Sequence, residues 1–543
     1  MWLTISLTLF LFASIFEVKC GNDDLIVQLE KGKIRGHILK SEKGNDYYAF
    51  QEIPYAMPPV GEYRFEVPRE SEPWEGIIDT TKNTKMCYQH DHKYPTLISN
   101  EDCLYLNVYT PVKPGSGDLL PVLFVIHGGG LGAWSGSIDY FGPKYVMDYG
   151  IVVVTINYRL GPFGFVGTDD GAMPLNLGFK DQRFAMEWVN KNIHLFGGNP
   201  NQVTIGGESA GAMSIGYHML GDWPDNKELF HAVIMQSGNA ISGGLVQDNP
   251  TEIALQLGKA VDSKFGSSDT TELRNLLKKA TADDILMTNI TGGIAIEKDG
   301  PFSYRAYPSF LNGNYKKVPV LIGFNSEEMS FLALSNNDAQ REAYDKDPSQ
   351  LINDLYNMSP ENKTIAGTLL KQIYTFNTSF LEDKGGYTRY NSDKSYTLGT
   401  CKQVELGSSV APYYFYQFSY KGYLGGDMSN VDKLPPDVGK VGHTEDLRYM
   451  WDDGSNSDLS KFPEEDQLML HRYVTMWTNF VKYFNPTPEK DPLLDNMIWT
   501  TTEPNTMKYL NINSTFEMRT HPRQYSEVKQ VIETYMQPPY TVF

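Results

Sequence analysis

The stretch Gln202-Val203-Thr204-Ile205-Gly206-Gly207-Glu208-Ser209-Ala210-Gly211, running on through Ala212 to Leu220, decides how this chain is read. Gln202 to Ile205 has the β-branched character of a short strand, and Ala210 to Leu220 has the pattern of a helix. Between them Gly207-Glu208-Ser209-Ala210-Gly211 fits G-x-S-x-G. The bare pattern is weak, and its place gives it meaning. A serine on a tight strand-to-helix turn is held clear of the backbone, above the end of a sheet. Flanking glycines permit the close packing and unusual angles of such a turn.

Working outward, Pro121 to His127 and Ile151 to Ile156 are continuous apolar runs without alternation. Such runs suit parallel strands buried on both faces. Phe179 to Phe196 is helical in period, with Phe179, Ala185, Met186, Trp188, Val189, Ile193 and Phe196 as its apolar positions. Ala232 to Met235, Val318 to Ile322 and Pro412 to Tyr416 continue the strand series. Strands alternating with helices predict an α/β fold with a doubly wound, mostly parallel sheet, whose chemistry sits at the carboxyl ends of the strands. Residues 250–317 and 331–400 read as helical insertions, so one domain is expected over 21–543.

The chain has 543 residues, 41% of them hydrophobic, and 47 Lys+Arg against 66 Asp+Glu for a net charge of -19. This is enough apolar material for a large core. The acidic balance argues against nucleic acid, which needs clustered Lys and Arg. Trp2 to Phe16 is an apolar run too short to span a bilayer comfortably, and residues 1–20 read as a signal peptide cut before Gly21. No later apolar run suits a membrane span, and the Gln537–Phe543 tail carries no lipid-anchor signal. A secreted chain is therefore expected, with glycosylation triplets at Asn289, Asn357, Asn362, Asn377 and Asn513. Cys401 reads as a buried free thiol.

A serine hydroxyl needs a base to take its proton. Of the downstream histidines, His471 lies in a helical stretch and His521 precedes a proline near the end of the chain. His443 lies in the loop Lys440-Val-Gly-His-Thr-Glu-Asp446 after a strand, where a base above the sheet belongs. The histidine needs a carboxylate to fix its tautomer. The run Val320 to Glu328 places Glu327 and Glu328 just past a strand end, and spacing alone does not separate them. An oxyanion needs preorganised N–H donors. His127-Gly128-Gly129-Gly130 ends a strand and offers them, Ala210 N–H would complete the set, and His127 itself reads as structural.

These residues resemble the type-B carboxylesterase and cholinesterase family of α/β-hydrolases, and most of all its insect members. The resemblance spans nearly the whole chain after residue 20. It is carried by Glu101-Asp-Cys-Leu-Tyr-Leu-Asn-Val-Tyr109, His127-Gly-Gly-Gly130, Asn157-Tyr-Arg159, Asp181-Gln-Arg183, Phe196-Gly-Gly-Asn-Pro200 and Gly207-Glu-Ser-Ala-Gly211. It implies a catalytic triad of Ser209, Glu328 and His443, and an oxyanion hole of Gly129, Gly130 and Ala210. It implies Glu208 and Ser237 close behind the reacting groups, and ion pairs Arg64–Glu101 and Arg159–Asp181. It also implies a Cys87–Cys103 disulfide, whose loop of about 15 residues would be worth about 3 kcal/mol. Four positions depart from the family pattern: Leu131 replaces an aromatic, and Trp134, Met329 and Thr444 each replace a glycine.

What the resemblance implies is a secreted serine carboxylesterase acting on small neutral esters, with no metal or organic cofactor. A specialised hormone, pheromone or choline esterase is the alternative within the class, and a non-catalytic adhesion or ligand-binding member the alternative outside it. The hormone esterases usually carry Gln where this chain has Glu208. Cholinesterases hold the ammonium over a tryptophan in the first disulfide loop. Here that loop has Tyr88, Lys93 and Tyr94 but no tryptophan.

Overall fold

The computed structural model describes residues 25–543 apart from 92, 118, 224, 226, 427 and 430. The segment read as a signal peptide lies outside the described residues. Eleven strands form one sheet: β1 (His37–Lys40), β2 (Asp46–Pro54), β3 (Tyr105–Thr110), β4 (Leu120–Ile126), β5 (Val152–Ile156), β6 (Gly198–Glu208), β7 (Ala232–Gln236), β8 (Val320–Asn325), β9 (Tyr413–Phe418), β10 (Tyr509–Ile512) and β11 (Phe516–Arg519). Their order across the sheet is β11-β10-β9-β8-β7-β6-β4-β5-β3-β2-β1. Strands β4 to β10 are mutually parallel, with Val203 opposite Val122 and Ile234 opposite Leu321. The edges are antiparallel.

The apolar runs form the central strands because both of their faces are covered. Val122, Phe124 and Ile126 of β4 join one core with Phe179 and Val189 of α1 (Leu177–Asn192), Ile215 of α2 (Ala210–Leu220), Val404 and Val528. Leu123 and Val125 turn the other way, to a second core with Val474, Trp477 and Phe480 of a long helix, Glu464–Tyr483. At roughly 1.5–3 kcal/mol for each fully buried large aliphatic or aromatic side chain, these two layers dominate the stability. The expected doubly wound, mostly parallel sheet is present.

Several elements differ from the sequence reading. The strand seen as Gln202–Ile205 runs from Gly198 to Glu208 because β4 and β7 pair with it on either side. The edge strands β1 and β11 were not legible: they alternate half-buried and exposed residues and lack an apolar run. The insertion regions are helical, as expected, through Pro250–Val261, Thr270–Lys279, Pro360–Thr375 and Lys384–Ser392. No described helix is long and apolar enough to cross a membrane.

The strand order matters for chemistry. The chain leaves β4 for β5 on one side of it and then returns to β6 on the other. The reversal opens a crevice at the carboxyl ends of β4 and β6. His127-Gly128-Gly129-Gly130 follows β4, and Ser209 follows β6.

Candidate active site

Ser209 joins β6 to α2 with φ 56° and ψ -123°, a conformation rare for any residue with a Cβ. Strain of this kind persists only where its surroundings fix it. Ser209 N–H donates to Gln236 O on β7 at 2.9 Å. A Cβ added at Gly211 would lie 2.1 Å from Ile126 O, so only glycine lets α2 start this close to β4. Ala210 is the first residue of α2, and its amide has no carbonyl four residues back inside the helix. Gly129 and Gly130 turn with φ 88° and 63°, facing the same end of the sheet.

The two adjacent acids after β8 take different partners. Glu328 is fully buried, and its Oε2 accepts from His443 Nδ1 at 2.8 Å. Its Oε1 accepts from Asn325 N–H at 2.7 Å, and its own carbonyl accepts from His443 N–H at 2.9 Å. Glu327 instead accepts from Arg523 at 3.0 Å and Gly439 N–H at 3.2 Å. Geometry therefore brings Glu328 to His443 and turns Glu327 away. Neither His471, which lies near Tyr149, nor His127 is part of this group. His127 is buried against Tyr158, donates to Gly128 O, and is held neutral by burial, which pulls it down to about 4.

Glu208 projects into the same space. Its side chain is 1% exposed and its Oε1 lies 3.1 Å from His443 Nε2. Burial pushes this carboxyl up to about 8; the His443 charge opposes the rise, and the Asp446 and Glu328 carboxylates add to it. For His443 burial favours the neutral ring, but the Glu208 charge and the Glu328 hydrogen bond outweigh it and push the ring up to about 9. The two groups are close enough to share a proton and titrate as a pair. Ser237 is fully buried at the end of β7 with φ 48°, and no partner for its hydroxyl is found among the described residues.

Three further groups bear on the site and were not singled out by sequence. Asp446, buried three residues after His443, accepts from Asn325, Gln236 and Tyr473. Arg523 bridges Glu327 and buried Asp393. Tyr396 lays its ring 4.3 Å from the imidazole of His443. Only Asp446 had a sequence signal, its nearness to His443.

The remaining expected contacts are in place. Cys87 and Cys103 are bonded, and Cys401 is a buried free thiol. Arg64 meets Glu101 at 2.5 Å and Arg159 meets Asp181 at 2.7 Å. Gln89, inside the disulfide loop, grips the Trp134 peptide from both sides, accepting from its N–H at 2.7 Å and donating to its carbonyl at 2.8 Å. The loop is thus tied to the segment after Gly130. Leu131 is buried, Met329 N–H donates to Ser392, and Thr444 keeps the left-handed φ of 71° that a glycine would adopt freely. Lys93 lies over Tyr94 at 4.7 Å and over Tyr140 at 5.7 Å, and pairs with Asp453 at 3.5 Å.

Residues 23–528 match the carboxylesterase family. A juvenile hormone esterase of Tribolium castaneum is 33% identical over 505 residues, covering 86% of this chain and 84% of that protein. Esterase FE4 of Myzus persicae is 33% identical, covering 90% of each. The crystal structure of juvenile hormone esterase from Manduca sexta, with OTFP covalently attached, superposes with a TM-score of 0.81 at 26% identity, over 94% of this chain and 99% of that one. That neighbour shares the α/β-hydrolase architecture.

Proposed function

The chain belongs to the carboxylesterase family and is a carboxylic ester hydrolase, and on that premise we propose a secreted serine esterase that forms an acyl-enzyme on Ser209. The observation that carries this reading is the strained Ser209 turn standing at the same sheet edge as the buried Glu328–His443 pair. His443 takes the Ser209 proton as the oxygen attacks the ester carbon. Glu328 holds the ring in the tautomer that leaves Nε2 free to do so and stabilises its charged form. The amides of Gly129, Gly130 and Ala210 receive the oxyanion. His443 then gives its proton to the leaving alcohol, and water repeats the sequence to release the acid. Glu208, able to hold or release a proton beside Nε2, sets the pH at which the ring is free to act.

Uncharged carboxylic esters are the proposed substrates. Tyr94 of the disulfide loop and neighbouring Tyr140 already carry a cation, Lys93, on their faces, which leaves them unfit to receive an ammonium group, and Tyr88, the other tyrosine of the loop, packs edge-on against Phe163 and donates its hydroxyl to Asp283. Secretion is supported by the Trp2–Phe16 run and by the disulfide, which persists in an oxidising compartment. Asn289, Asn357 and Asn377 are exposed and Asn362 and Asn513 half-buried. Asn357 and Asn362 already donate their amides to Pro538 and Tyr535, so Asn289 and Asn377 are the first sites expected to carry glycans. We take residues 21–543 as one folding unit. A panel of alkyl, aryl and choline esters, assayed with and without an organophosphate, tests the reading. Neutral esters should be cleaved and the reagent should abolish it; hydrolysis insensitive to the reagent would overturn the serine mechanism.

A further inference from the structure

Trp134 holds a φ of 80°, a left-handed conformation that a bulky side chain rarely adopts. Strain of this kind persists only where the surroundings fix it, and it gathers where function needs a set geometry. Here one side chain fixes it. Gln89 is 1% exposed, and its amide meets both polar groups of the same residue: Oε1 accepts from Trp134 N–H at 2.7 Å, and Nε2 donates to Trp134 O at 2.8 Å. Those two groups flank the Trp134 Cα, so a single amide sets φ and ψ together. Nε2 also donates to Cys87 O at 2.9 Å, beside the disulfide. The Gln89 backbone is held in turn: its N–H donates to Ser99 Oγ at 2.8 Å, and Ser99 Oγ donates to Gln89 O at 3.1 Å. Ser99 lies in the strand Ile98–Asn100, which pairs with Lys85–Cys87. The clamp therefore stands on a fixed base.

What the clamp steadies is the turn after β4. Gly129 O accepts from Gly132 N–H and from Ala133 N–H, both at 3.0 Å. In a planar trans peptide the N–H points opposite to the C=O. Turning the Gly129 carbonyl back towards residues 132 and 133 sends the Gly130 N–H the other way. The turn is wound so tightly that a Cβ at Gly129 would lie 2.3 Å from Ala133 O and 3.1 Å from Trp134 Cγ. The other two oxyanion donors have their own supports. Gly128 O accepts from His127 Nδ1 at 2.9 Å, which orients the Gly129 N–H, and the Ala210 N–H is fixed by the start of α2.

We propose that Gln89 is a positioning residue for the oxyanion: by clamping Trp134 it fixes the turn from Gly129 to Trp134 and so aims the Gly130 N–H. This rests on the Ser209 reading above. Donors stabilise an oxyanion most when they are aimed before the charge develops. Without the clamp Trp134 relaxes towards negative φ, the Ala133 end of the turn shifts, and the Gly129 carbonyl loses its fixed partners. Gly129 and Ala210 keep their N–H groups in place, so the loss is partial. An oxyanion forms in both acylation and deacylation, so kcat and kcat/KM fall alike and KM holds.

The test compares the full chain with Gln89→Met, a side chain of similar length without an amide, on p-nitrophenyl butyrate and on 1,1,1-trifluorododecan-2-one. Ser209 Oγ bonds to the ketone carbon, the carbonyl electron pair moves onto its oxygen as an oxyanion, and the Ser209 proton passes to His443. The ketone thus reads the oxyanion site with no leaving group. Gln89→Met should lower kcat and kcat/KM about 10–100-fold, short of the roughly 10²–10³-fold cost of deleting a donor. KM should change less than about threefold, and ketone affinity should fall by a factor similar to that in kcat. The acid limb of the pH profile should stay in place, since Glu208 and His443 are untouched. Gln89→Asn keeps an amide but is one methylene too short for Trp134. It tests the same contact if the methionine variant does not fold, and should lose at least about threefold in both rate and ketone affinity. A folded variant with an unchanged rate, or with a lowered rate and unchanged ketone affinity, overturns the proposal. If the ketone does not inhibit the unmodified protein, or binds Ser209→Ala as tightly, it is the serine-nucleophile reading that fails.

Discussion

Glu208→Gln isolates the acid that faces His443 Nε2 at 3.1 Å. Glutamine keeps the volume of the side chain and removes its ability to carry charge. A full carboxylate at that separation is worth about 5 kcal/mol at an effective dielectric of ~20, equivalent to about 4 pH units. Two effects reduce the realised shift. Burial already opposes charge on His443, and Glu208 is itself pushed up to about 8, so it carries its proton over much of the working range. What remains is a drop in the His443 pKa of at least about one unit, because the Glu208 charge is the largest of the influences that raise it. The sign follows directly. A histidine with a lower pKa stays neutral, and able to accept a proton, to lower pH. The acid limb of kcat/KM should therefore move down by at least about one unit in the variant. The plateau rate should fall about tenfold, as the imidazolium formed during attack loses an anionic neighbour. The assay is kcat/KM for a neutral aryl ester from pH 5 to 9 at constant ionic strength. An acid limb that stays in place, or moves up, would refute the coupling between Glu208 and His443.

Other outcomes follow from the same geometry. Gly130→Asp should lower acyl transfer about 10²–10³-fold while lowering Tm by only a few degrees, since a Cβ there meets nothing within 4 Å and the remaining cost is the strain of a side chain at φ 63°, about 1–2 kcal/mol. A full rate on a short ester would place the oxyanion elsewhere. For paired butyryl esters, a neutral alcohol should be preferred over choline by at least about tenfold in kcat/KM, or about 1.4 kcal/mol, because Lys93 already covers Tyr94 and Tyr140. A preference for choline would show that another aromatic, with Trp134 the first to examine, receives the ammonium.

The parts of the fold that are legible in sequence are those whose physics is local. β4, β5 and β7 read as strands because parallel strands covered on both faces need unbroken apolar runs. The Ser209 turn reads as a turn because glycines must flank it where α2 approaches Ile126. What escapes is set by distant partners. Nothing in the local run separates Glu327 from Glu328; the choice is made by Arg523, which arrives from the far end of the chain. Resemblance to a family supplied the assignment that spacing could not. Tyr396 escaped altogether, since a π turn inside a polar helical stretch leaves no periodic trace. The edge strands were missed because half of their residues face water.

The most direct test of the central claim is to quench the enzyme during turnover of a neutral ester and map the acyl group by peptide mass. An acyl adduct on the peptide containing Ser209, absent in Ser209→Ala together with all but the residual ~10³–10⁴-fold acceleration over water that binding and the oxyanion donors supply, is the predicted result. Turnover with no adduct on that peptide, or near-normal hydrolysis by Ser209→Ala, would contradict it.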